Sequence, residues 1–149
     1  MIITIDPGAS GAVAIIKDGH VVTHSFKDES GTIEFIKFHA NDPNKLTRNF
    51  AYLEQVSSMP GQGVTSMFSF GANFGFYRGV LQALDIPFDM VRPQKWQKDL
   101  SIPVTLKGKD NQSARKKWMK QKAAELFPYI KVTLSNADAL LMLHVYRSR

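Results

Sequence analysis

The dipeptide Asp18-Gly19 lies between two apolar, β-branched runs, GAVAIIK over 11–17 and HVVTHSF over 20–26. A two-residue Asp-Gly connection suits the type I′ turn, whose twist matches that of paired strands, so the two runs are predicted to form a hairpin. The run before them, MIITID over 1–6, is short, β-branched and ended by Pro7-Gly8. It reads as a buried strand. The chain is thereby constrained to begin as a three-stranded antiparallel meander.

Beyond residue 26 the apolar spacing changes. Ser30 is placed to cap a helix over 31–40, with Ile33, Ile36 and Ala40 on its apolar face. Asn41-Asp42-Pro43-Asn44 ends that helix. FAYLEQV over 50–56 reads as a fourth strand, 64–84 as a long helix and 88–92 as a fifth strand. Pro93 opens a short helix through 98. Residues 99–112 read as a flexible loop, and 113–127 and 136–147 as two more helices. The order β-β-β-α-β-α-β-α-α-α predicts an α/β fold: a mixed five-stranded sheet with helices on both faces, RNase H-like, in a single domain over 1–149. Such a fold hosts many activities, so function must come from the site.

Composition narrows the chemistry. The chain lacks cysteine, which excludes disulfides, thiol catalysis and cysteine-based zinc sites, and fits a reducing cytoplasm. No apolar run reaches the roughly 18 residues of a membrane helix. The net charge is +6, and seven Lys or Arg fall between Lys107 and Lys122 against one acid, Asp110. That suits a polyanionic partner, although a solvated helix face accounts for a charge run equally well. Trp96 and Trp118 are the only tryptophans and suit a core as well as a surface. His20, His24, His39 and His144 show no metal-ligand spacing.

Three acids stand in apolar settings: Asp6 at the end of the first strand, Glu54 inside the fourth, and Asp138 in the first turn of the last helix, within ADALL. A bare buried carboxylate is costly unless it is paired or binds a cation. Each has a plainer reading: Asp6 as a turn former, Glu54 as the partner of a buried Arg, Asp138 as a complement to the helix dipole. The strand order weakens these. Strands one and four are neighbours in such a sheet, which sets Asp6 beside Glu54, and the last helix can carry Asp138 over both. Carboxylates that converge repel unless cations lie between them. Oxygen-only ligands suit Mg²⁺, with Mn²⁺ as a substitute.

The segments IDPGASGA, YLEQV and NADALLMLHVYR resemble the three active-site segments of RuvC-type Holliday junction resolvases, and the stretch from Met59 to Lys98 is similar to the phage-encoded branch. The resemblance implies a homodimeric endonuclease of DNA recombination that resolves four-way junctions and related branched DNA. It implies two metal ions at the scissile phosphate, one activating a water and the other stabilising the leaving 3′ oxygen. Asp6, Glu54 and Asp138 match the family's metal-binding, catalytic acids. Lys95 falls near a basic position that lies beside the phosphate in relatives, and Arg115, Lys116 and Lys117 near a second basic cluster. Met59, Gln62, Phe68, Lys107 and Lys109 complete the expected DNA-binding set. A phage origin would place the protein in the host cytoplasm.

Two departures from the family pattern stand out. RuvC enzymes carry a further acid about one turn before the last Asp, where this chain has Leu134 and Ser135. Ser135 is placed to cap the last helix, and Asn136 is a candidate neutral ligand. The aromatic residue that follows the strand-four Glu in bacterial relatives is replaced near Ser57, with Met59 or Phe68 as substitutes. Gly71, Gly75 and Gly79 recur every four residues on the long helix, beside a stripe of Phe70, Phe74, Tyr77 and Leu81. Glycine costs a helix roughly 1 kcal/mol relative to alanine. The glycine face is therefore expected to meet a partner helix in a two-fold dimer. The alternatives are a non-catalytic, structure-specific DNA-binding protein, and an RNase H-like nuclease acting on flaps or RNA–DNA hybrids.

Overall fold

The computed structural model describes residues 1–42, 48–55, 63–106 and 109–148, with only the backbone of Lys109. Five strands, β1 (Ile2–Asp6), β2 (Ala12–Lys17), β3 (His20–Ser25), β4 (Phe50–Glu54) and β5 (Phe88–Val91), form one mixed sheet in the order β3-β2-β1-β4-β5. β1 pairs antiparallel with β2 and parallel with β4, and β4 pairs parallel with β5. The hairpin between β2 and β3 turns at Asp18 (φ 51°) and Gly19 (φ 80°). Both angles are left-handed, as a type I′ turn requires.

Helices cover both faces. α1 (Glu29–Ala40) and α2 (Val64–Ala83) lie on one side; α3 (Pro93–Lys98), α4 (Gln112–Leu126) and α5 (Ala137–Tyr146) lie on the other. Strand alternation decides which layer each residue meets. Ile3, Ile5, Val13, Ile15, Ala51 and Leu53 pack with Ile36 of α1 and with Tyr77, Val80 and Leu81 of α2. Ile2, Ala12, Ala14 and Tyr52 face α5, where the Tyr52 and Tyr146 rings stack at 4.0 Å. Asp6 and Glu54 share the parity of Ile2 and Tyr52, so they face the α5 layer.

Local details depart from expectation in three places. α1 begins at Glu29, because Asp28 rather than Ser30 caps it: Asp28 Oδ1 accepts the Gly31 N–H at 2.7 Å. Its buried face is Thr32 and Ile36, and Ile33 is exposed. The stretch after α3 is not a free loop, since Leu100 and Ile102 are buried in the core. Single 3-10 turns at Val104–Leu106 and Lys109–Asn111 follow them. Among the described residues no helix is long and apolar enough to cross a membrane.

Candidate active site

The site lies at the C-terminal ends of the two central parallel strands. The β1–β4 register sets Ile5 opposite Leu53, so the next residues, Asp6 and Glu54, stand side by side. The two carboxyl groups are close enough to influence each other's ionisation. Burial, then the charges of Glu54 and Asp138, push the Asp6 carboxyl well above the usual range. Burial also raises Glu54, to about 7, even though its bond from Trp96 works the other way. Burial raises Asp138 as well, partly offset by Lys116 and Arg115. The Asp6 charge is felt by Tyr77 too, whose phenol is raised first by burial and then by Asp6.

α5 brings Asp138 to this pair. Its first turn is tied to β1 by the buried Thr4 hydroxyl, which donates to the Ala139 carbonyl at 2.7 Å. Thr4 lies two residues before Asp6 on the same sheet face, and Ala139 adjoins Asp138. The turn between β1 and β2 is equally constrained. Gly11 N–H donates to the Gly8 carbonyl at 3.0 Å, and a Cβ on Gly11 would run into the Asp6 carbonyl oxygen. Only glycine lets the backbone pass so close to the end of the first strand.

The Ser135 and Asn136 side chains are both engaged within the fold. Ser135 does not cap α5; its hydroxyl donates to the Gly11 carbonyl at 3.1 Å. The Asn136 side chain is used within the fold. Its Oδ1 accepts from the Thr133 N–H at 2.8 Å, and its Nδ2 donates to Thr23 Oγ1 and to the Lys131 carbonyl. The acidic set is therefore three carboxylates. Among the described residues no group of three or more His, Asp or Glu side chains is arranged so that it could hold a metal ion. The donor chemistry nevertheless fits a hard divalent cation: oxygen ligands only, sharing negative charge in a poorly hydrated place.

The cations that act on these acids are Lys116, on Asp6 and Asp138, and Arg115, on Asp138. Both lie on α4, which packs against α5. Lys117 on α4 and Lys95 on α3 are exposed and are not among them. Phe68, on α2, is 78% exposed. Met59, Gln62 and Lys107 lie outside the described residues, as does the side chain of Lys109. Trp96, which its sequence context suits to core or surface alike, is fully buried and donates its indole N–H to Glu54 Oε1 at 2.8 Å. Thr4 has a sequence signal, as the one hydroxyl in the aliphatic run IITI.

Solved structures that share the fold of this chain include two of RuvC. Thermus thermophilus RuvC in complex with Holliday junction substrate superposes with a TM-score of 0.55 at 12% identity, covering 99% of this chain and 94% of that one. The fold is that of RuvC. A second structure of Thermus thermophilus RuvC superposes with a TM-score of 0.51 at 14% identity, covering 99% and 95%. At such identities the likeness to RuvC is one of fold. No protein-family model and no curated protein sequence matches the chain.

Proposed function

We propose that the chain is a magnesium-dependent endonuclease that hydrolyses phosphodiester bonds in four-way junctions and related branched DNA. The observation that carries this reading is the convergence of Asp6, Glu54 and Asp138 on one face of the sheet, each raised in pKa by burial and the first two also by neighbouring charge. Divalent cations there would offset that charge, acidify a water and stabilise the charge that develops on the phosphate. Asp6 feels both other acids and would be the shared ligand, with Glu54 and Asp138 each able to add a further oxygen. With Ser135 and Asn136 engaged in the fold, the Asp138 side has fewer carboxylates and would bind an ion more weakly. Arg115 and Lys116 offset the charge of the acids and would meet a phosphate, and the exposed Lys95 and Lys117 would extend the basic surface.

A dimer completes the reading. The Gly71, Gly75 and Gly79 face of α2 is open: a Cβ at any of the three would meet nothing within 4 Å. The neighbouring Tyr77 and Leu81 bury against the sheet instead. A two-fold pair packed through this glycine face would present two sites to a two-fold substrate.

The test uses labelled four-way junction, duplex, flap and RNA–DNA hybrid, with Mg²⁺, with Mn²⁺ and with chelator. Metal-dependent cutting of the junction is expected, lost in Asp6→Asn while binding persists. Tight junction binding without cutting in either metal would instead mark a non-catalytic binding protein. Preference for the flap or hybrid would reassign the substrate. Binding should weaken as salt rises, because phosphate contacts release counterions.

A further inference from the structure

Glu54 is only 9% exposed, and its Oε1 accepts the indole N–H of Trp96. The pairing of β4 with β5 sets Glu54 opposite Val91, and the Gln55 N–H donates to the Val91 carbonyl at 2.7 Å. Pro93 then turns the chain into α3, whose single turn and a half brings Trp96 back over Glu54. The ring is locked within a core that includes Val91, Leu100 and Met119. An indole has one N–H, in the ring plane, with no rotor to redirect it. A buried tryptophan needs some acceptor. Here that acceptor is a side-chain carboxylate oxygen at 2.8 Å rather than a backbone carbonyl.

We propose that Trp96 is a positioning residue for Glu54: its indole N–H holds Oε1 and leaves Oε2 as the single oxygen that Glu54 offers to a divalent cation. A free carboxylate can rotate to bind one ion through both oxygens. One whose Oε1 is held by a clamped indole cannot do so without breaking a buried bond. Trp96 thus sets both the direction and the denticity of Glu54. Partners of this kind, behind a metal ligand, typically change metal affinity 10–100-fold.

The inference rests on the metal-dependent reading above, and the two can fail separately. The indole N–H resonances of ¹⁵N-labelled protein are followed during a Mg²⁺ titration, with Trp118→Phe used to assign them. The Trp96 resonance should move, with the midpoint that cleavage shows in Mg²⁺. Calorimetric titration with Mn²⁺ should show about tenfold weaker binding in Trp96→Phe. Should that variant fail to fold, the indole titration of the wild-type chain decides alone. An unmoved Trp96 resonance at saturating Mg²⁺, in a protein that binds Mn²⁺ and cuts, overturns the role of Trp96 and leaves the nuclease reading intact. So does unchanged Mn²⁺ affinity in folded Trp96→Phe. A wild-type chain that neither binds Mn²⁺ nor cuts overturns both.

Discussion

The Thr4 hydroxyl and the Ala139 carbonyl meet at 2.7 Å across the interface between the central strand and the last helix. Two residues beyond Thr4 is Asp6, and one before Ala139 is Asp138. A hydrogen bond that is structural in itself thereby sets the separation of two acids that come from opposite ends of the chain. Thr4→Val keeps the side-chain shape and removes the donor. We expect a loss of about 1 kcal/mol of stability, read from the denaturant midpoint. Junction cleavage should fall further, by roughly tenfold, because small misplacements of reacting groups cost up to ~10²-fold. Thr4→Ser, which retains the hydroxyl, should recover most of both.

The acids also dictate how stability depends on pH without metal. Asp6, Glu54 and Asp138 all titrate above their ordinary values. A carboxyl raised in this way holds its proton more tightly in the folded chain than in the unfolded one. Its contribution is full below the unfolded pKa and is lost as pH rises through the folded pKa, about 7 for Glu54. Thermal melts in chelator should therefore show lower midpoints near pH 8 than near pH 5. Mg²⁺ should recover part of the difference at the higher pH, since it binds only the folded site. Asp6→Asn should melt higher than wild type at pH 8 in chelator while cutting nothing.

Gly11 admits no side chain. A methyl there meets the Asp6 carbonyl oxygen, which belongs to a paired strand and cannot swing aside. Gly11→Ala is expected to destabilise the chain by on the order of 3 kcal/mol and to disturb the Asp6 strand end. Gly8→Ala, where the nearest atom is 3.6 Å away on the Phe70 ring, should be far milder. Chemical denaturation of the two variants compares them directly.

The glycine face of α2 makes the opposite prediction. Since it touches nothing in the single chain, Gly75→Leu should keep or raise the stability of the protomer, by up to about 1 kcal/mol from helix propensity. If the face is the dimer contact, the same change should yield a monomer by light scattering. A stable Gly75→Leu dimer would place the contact elsewhere.

How much of this was legible in the sequence follows from how local each cause is. Asp18-Gly19 acts within four residues, and the hairpin forms as the dipeptide demands. Asp6 and Glu54 could be paired because the order of strands and helices implies that β1 and β4 are neighbours. Strand parity then carries both acids to one face. Asp28 and Ser30 are both able caps for α1, and only the folded chain shows that Asp28 takes the role. Spacing alone sets Ile33 inward, whereas the folded helix buries Thr32 and leaves Ile33 exposed. The bond from Trp96 to Glu54 had no readable trace. It joins positions 42 residues apart and exists only once α3 has docked.

The Ser135 hydroxyl ends on the Gly11 carbonyl, which also accepts the Phe26 N–H at 2.9 Å. That oxygen fastens together the first turn, the end of the meander and the approach to the last helix. Anyone retrofitting a fourth carboxylate by Ser135→Asp would exchange a donor for a second acceptor and set it against an oxygen already engaged. The graft would pry open the scaffold before it reached an ion, so the three-acid layout is a commitment of the architecture and not a gap waiting to be filled.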